Sequence, residues 1–264
     1  MNTKLFQFVL AFTLVLAIVG CGGGKKDESS TAAPAAAPSA GKTVDSATAG
    51  SVTGSVTLDG KAPAAKPINM SAEPYCQKAH TTPVVPPEVV TGDKGQLANV
   101  VIFVKDGLGD YVFQTPATPV TLNQQGCMYD PHVITLMTGQ PLSVKNSDQT
   151  THNIHPMPKD NRDWNKSQAP GASPIDDSFA RAELAIPGKC NVHPWMKSYI
   201  FVFKHPYYAV TGKDGKFELK GLPPGTYTIE AWQEKYGTQD QTVTIGAKES
   251  KPVTFTFKAG AAGD

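Results

Sequence analysis

The chain has 264 residues, with 24 basic and 23 acidic side chains, six His and four Cys. Charges are balanced and scattered, so there is no basic stripe and nucleic acid is excluded as a partner. Removing Lys4 with the leader described next leaves 23 basic (24 − 1) against 23 acidic residues.

In chain order, residues 1–21 read as a targeting segment. Lys4 supplies the positive start, and Leu5 to Val19 is an apolar run short of a comfortable membrane span. The run ends in Ile18-Val19-Gly20-Cys21, which resembles a bacterial lipobox. That resemblance implies cleavage before Cys21 and acylation of it, and several acyl chains give durable anchoring. Gly22 carries no inner-membrane retention signal, which favours the outer membrane in a two-membrane cell. Residues 22–50 are rich in Gly, Ala, Ser and Pro, cannot bury a core, and read as a flexible tether.

The remainder is expected to be all-β, because short Val/Ile/Thr/Phe/Tyr runs alternate with Gly, Pro, Asn and Asp. Strands are predicted at 52–58, 100–105, 132–136, 142–146, 182–186 and 198–203, then at 208–211, 216–219, 227–232, 241–245 and 253–257. No sustained helical period occurs, and 156–180 reads as a long irregular loop.

Cysteine usage fits an exported protein. With Cys21 assigned to lipid and Cys190 to the metal site below, Cys76 and Cys127 remain as a pair. Each has a nearby histidine, His80 and His132, so a second Cys2His2 metal site competes with a disulfide. An oxidising compartment favours the disulfide. In the chain-entropy model such a bridge contributes about 3–4 kcal/mol, and it would secure the pattern-poor segment 60–98.

The densest chemistry lies in Cys190-Asn191-Val192-His193-Pro194-Trp195-Met196, with Thr151-His152-Asn153 upstream after a predicted strand. A C-x2-H-x2-M loop between two strands can aim three ligands at one point, and a neighbouring strand end can add the fourth. Two histidines, a thiolate and a thioether form the donor set of a type I (blue) copper centre, with His152, Cys190 and His193 as the trigonal plane and Met196 as the axial ligand. His155 is an alternative to His152, and Met128 and Met157 are alternatives to Met196 at less suitable spacing. Zinc has little use for Met, and the His-x-His pairs of a multicopper oxidase are missing from the sequence.

These residues resemble the cupredoxins. Cys190 to Met196 is similar to the short ligand loop of amicyanin-type members, and Val144-Lys145-Asn146-Ser147-Asp148 followed by His152-Asn153 is similar to the first-ligand region of plastocyanin-like members. The resemblance covers roughly residues 119–204 and implies a Greek-key sandwich or barrel with one copper. It also implies that Asn153 hydrogen-bonds near the cysteine sulfur, and that His193 reaches the surface, with Pro194 and Trp195 forming the docking face.

Residues 205–258 resemble carboxypeptidase-regulatory-type β-sandwich modules of the carbohydrate-binding-like fold. The resemblance rests on Tyr208-Ala-Val-Thr-Gly-Lys-Asp-Gly-Lys-Phe-Glu-Leu and Gly221-Leu-Pro-Pro-Gly-Thr-Tyr-Thr-Ile-Glu-Ala-Trp232. Val52 to Gly60 and Leu97 to Val104 resemble the front half of such a module, so residues 51–118 are expected to complete it across the copper domain; a tandem arrangement is the alternative. Residues 259–264 are a tail.

Together these features imply a lipid-anchored, non-enzymatic, one-electron carrier of the cell envelope, with a cytochrome or an oxidoreductase as partner. Copper storage or delivery is one alternative. A surface adhesion or glycan-binding module, with Trp232 and Tyr236 as the weak aromatic signal, is another.

Overall fold

A computed structural model describes residues 41–260. The signal segment with Cys21, the tether up to residue 40, and residues 261–264 lie outside the described residues. Polar–apolar alternation builds the first strand, β1 (Gly50–Asp59), with Val52, Val56 and Leu58 facing inward. A short helix α1 (Pro74–Lys78), with Pro at its first turn where no N–H is needed, leads towards β2 (Val101–Asp106). There follow β3 (Val120–Gln125), β4 (Met128–Asp130), β5 (Val133–Met137), β6 (Leu142–Asn146), β7 (His152–Pro156), β8 (Lys166–Gln168), β9 (Ile175–Asp177), β10 (Glu183–Lys189) and β11 (Lys197–Phe203). The last strands are β12 (Tyr208–Val210), β13 (Lys216–Leu222), β14 (Gly225–Gln233), β15 (Gly237–Ile245) and β16 (Ser250–Lys258).

Pairing sorts these strands into two groups. Strands from the two ends of the described chain form the sheets β13-β1-β16 and β12-β2-β14-β15. The intervening strands form β5-β11-β10-β7-β8 and β4-β3-β6-β9. The end sandwich is therefore discontinuous: β1 runs parallel to β16 and antiparallel to β13, nearly two hundred positions apart in the case of Ser51 and Ser250. Gly54 makes this central position possible, since a Cβ there would stand 2.6 Å from the Phe217 ring.

β11 joins the groups. Its side chains alternate between two apolar environments: Ile200 and Val202 enter the core of the inserted sandwich, while Phe201 and Phe203 enter a seam with Val101, Phe103 and Val133. Burial on both faces explains the nearly continuous apolar sequence of this strand. Trp232, half-buried, packs against the same seam, 4.9 Å from Phe201 between ring centroids.

Several elements differ from expectation. β3, β4, β7, β8 and β9 are additional strands, two of them inside the predicted 156–180 loop. β3 is hard to read because its polar Gln124 is buried and donates to Gln168 at 2.8 Å. β8 and β9 have three residues each, and Lys166 of β8 and Arg162 upstream of it both pair with Asp177 of β9. The tether ends earlier than residue 50. Lys42 bonds the 110–112 segment on both sides, and Asp45 accepts the Ala47 N–H in a turn.

Candidate metal centre

The loop from β10 to β11 is closed by its own backbone. The Cys190 N–H donates to Met196 O at 3.2 Å, the Met196 N–H to His193 O at 2.9 Å, and the His193 N–H to Cys190 Sγ at 3.4 Å. These bonds fold Met196 back towards Cys190, and both are buried in one apolar cluster. His152 enters from the start of β7. Its Nδ1 lies 2.9 Å from Nδ1 of His193, which is 3.9 Å from Cys190 Sγ. One donor atom from each of His152, Cys190 and His193 lies within 4.8 Å of the other two. Asn153 ties the two parts together: its Oδ1 accepts the Asn191 N–H at 2.7 Å and stands 3.3 Å from Cys190 Sγ. His155 turns elsewhere and pairs with Asp163 at 3.0 Å.

A two-residue hairpin turn supports the site from one side. Gly126 and Cys127 join β3 to β4 with φ of +61° and +54°. Positive φ at both central positions matches the turn type that suits strand twist, although it is uncommon for a non-glycine residue. Both N–H groups donate to the buried carboxylate of Asp148 at 2.7 Å. Cys127 is bonded to Cys76 of α1, with Cα atoms 5.5 Å apart, inside the normal disulfide range. The rival Cys2His2 site is not assembled. His80 bonds the Gly126 carbonyl and His132 pairs with Glu234.

The disulfide-bound segment corrects the expectation that His193 reaches the surface. His193 is 0% exposed. One of its ring nitrogens lies within 4.8 Å of both disulfide sulfurs, and Nε2 is 3.7 Å from the Glu73 carboxylate just before α1. Pro194 is exposed, and Trp195 is half-buried with its indole N–H donating to Cys127 O at 3.0 Å. The Trp195 and His193 rings are 5.3 Å apart. The resemblance covers only residues from about 119 onward, so the cover, which comes from 60–98, was not anticipated.

Electrostatics favour a cation here. Two imidazole nitrogens at 2.9 Å repel unless a proton or a metal sits between them. Burial pushes the Cys190 thiol up, but the His152 side chain and the N–H groups of Asn153, His193 and Val192 outweigh it and hold the thiol below its ordinary range. Burial likewise pushes Asp148 up, and hydrogen bonds from His152, Cys127 and Gly126 bring it below the usual carboxylate value. Burial and the neighbouring His152 both lower His193. Two soft-to-borderline nitrogens, a thiol biased towards thiolate and a buried thioether residue fit copper better than a hard cation.

Residues 200–258 match the model of the carboxypeptidase regulatory-like domain, on the segment the sequence resemblance assigned to such a module. No curated protein matches the sequence. Among solved structures, the chain is similar to a copper-containing nitrite reductase from Thermus scotoductus SA-01 (18% identity, TM-score 0.31, covering 35% of this chain and 26% of that one). It is similar to a reduced variant of amicyanin (15% identity, TM-score 0.29, 32% of this chain and 81% of that one). It is also similar to a purple cupredoxin from Nitrosopumilus maritimus (16% identity, TM-score 0.27, 31% and 97%). Cupredoxins are thus among its structural neighbours.

Proposed function

We propose that the protein is a copper-binding one-electron carrier, anchored in the cell envelope through acylated Cys21. The observation that carries this reading is the convergence of His152 Nδ1, His193 Nδ1 and Cys190 Sγ at one buried point, assembled from two separate chain segments. A bound copper ion supplies one-electron exchange between its singly and doubly charged states. His152, His193 and Cys190 would hold it, with Met196 as a further, weaker donor. Asn153 keeps the Cys190 loop docked on β7, which favours one ligand geometry in both oxidation states. Preassembled donors suit electron transfer better than storage, because little has to move when charge changes. No substrate chemistry is involved, so the protein is not an enzyme in this reading.

A redox protein of the envelope, a cytochrome or an oxidoreductase, is the partner in this proposal. The cover over His193 shifts the contact to Trp195, whose ring sits against His193 and whose neighbour Pro194 is exposed.

Substitution of the axial residue tests the reading. Met196→Leu is expected to retain copper and to raise the reduction potential, because a weak donor to the oxidised ion is lost. Voltammetry reads about 59 mV for each tenfold loss of preference for the oxidised ion. An unchanged potential and spectrum would place the axial group elsewhere.

A further inference from the structure

Asp148 is the one buried carboxylate at the site, 2% exposed, and it lies outside the donor set. Four donors converge on it. The Tyr75 hydroxyl and the Gly126 N–H reach Oδ1 at 3.2 and 2.7 Å. The Cys127 N–H and His152 Nε2 reach Oδ2 at 2.7 and 2.8 Å. An ionised carboxylate only accepts hydrogen bonds, so His152 Nε2 must carry the proton in this contact. Nδ1 is then left to face His193 and Cys190. The other imidazole is treated differently. His193 Nε2 has no hydrogen-bond partner among the described residues, and its closest carboxylate, the half-exposed Glu73, is 3.7 Å away.

We infer that Asp148 is a positioning residue that fixes His152 with its proton on Nε2, makes it the stronger of the two imidazole donors, and so biases the centre towards the oxidised ion. The inference rests on the copper reading above for its effect on potential, but the hydrogen bond itself can be read without metal. Carboxylate partners of this kind orient a ligand imidazole and raise its basicity, and their loss typically costs 10–100-fold in metal affinity. Here the carboxylate is also attached to the disulfide-bonded turn and to α1, so the covering segment and the ligand share one buried group.

The test uses the whole protein in two states. In the metal-free form, nitrogen-15 NMR of the His152 ring is expected to show a slowly exchanging proton on Nε2, lost or fast-exchanging in Asp148→Asn. In the copper-loaded form, Asp148→Asn is expected to weaken binding of the oxidised ion more than of the reduced one, which moves the potential up by about 59 mV for each tenfold loss of preference. Tyr75→Phe removes one competing donor and leaves more negative charge for His152, so its potential is expected to fall, by less than a tenfold equivalent.

Opposite signs distinguish tuning from simple loosening, which would move both variants the same way. If Asp148→Asn fails to fold, Tyr75→Phe and the wild-type NMR decide. A wild-type Nε2 proton in free exchange with water, an unchanged potential in Asp148→Asn, or shifts of equal sign would overturn the inference. Absence of copper binding would overturn the copper reading and the claim about potential, while the metal-free NMR would still judge the His152–Asp148 bond.

Discussion

Replacing Cys76 and Cys127 together by alanine is expected to destabilise the protein by about 4 kcal/mol and to uncover His193. The bridge spans 51 positions, and the chain-entropy model assigns about that value to a loop of this length. The effect is local as well as global. Residues 60–98 have one five-residue helix, and the disulfide attaches it to the turn that holds Asp148. Hydrogen bonds from Tyr75 to Asp148 and from Ile68 to Val84 would remain, but without the cross-link they must order that segment unaided. Denaturant titration at constant slope measures the first effect. The rate at which a chelator strips copper measures the second, and it is expected to rise. A variant of unchanged stability and unchanged chelation rate would show that the segment is held by packing alone.

Cys190→Ser is expected to abolish the visible thiolate-to-copper band completely. Cys190 is the only free cysteine among the described residues, and it is buried with its sulfur within 4.8 Å of a ring nitrogen of each of His152 and His193. A serine hydroxyl is far harder to deprotonate and is a poor match for a soft metal. The change removes one sulfur atom's volume at most, so strand pairing of β10 and β11 should persist and circular dichroism should be nearly unchanged. A variant that keeps its colour would assign the band to another group.

The local signals were legible in the sequence, and the long-range ones were not. C-x2-H-x2-M is contained in one loop, so the approach of Cys190 and His193 follows from the backbone closing on itself between Cys190 and Met196. The appearance of regulatory-type strands both before and after the 119–204 segment pointed to a discontinuous sandwich, with a tandem arrangement as the alternative; the pairings themselves, β1 with β16 and β2 with β14, were not legible. β3 was hidden because Gln124 occupies an interior position and is satisfied by Gln168, a partner 44 residues away. The role of Asp148 depends on three chain segments meeting, at Tyr75, Gly126–Cys127 and His152. The cover over His193 has the same origin: Glu73 and Cys76 lie more than a hundred positions upstream, in a stretch with no periodicity to mark it. Surface exposure of a ligand depends on what else in the chain packs over it, and the loop sequence alone carries no such information.

The central claim is that the His152, Cys190, His193 and Met196 set holds one redox-active copper. Metal analysis of the purified protein after copper loading, combined with its visible spectrum during a one-electron reductive titration, tests this most directly. The expected result is one copper per chain, an intense thiolate-to-copper band, and complete bleaching and recovery of that band with one electron per copper. Protein that retains no copper, or that binds it without such a band, would contradict the account.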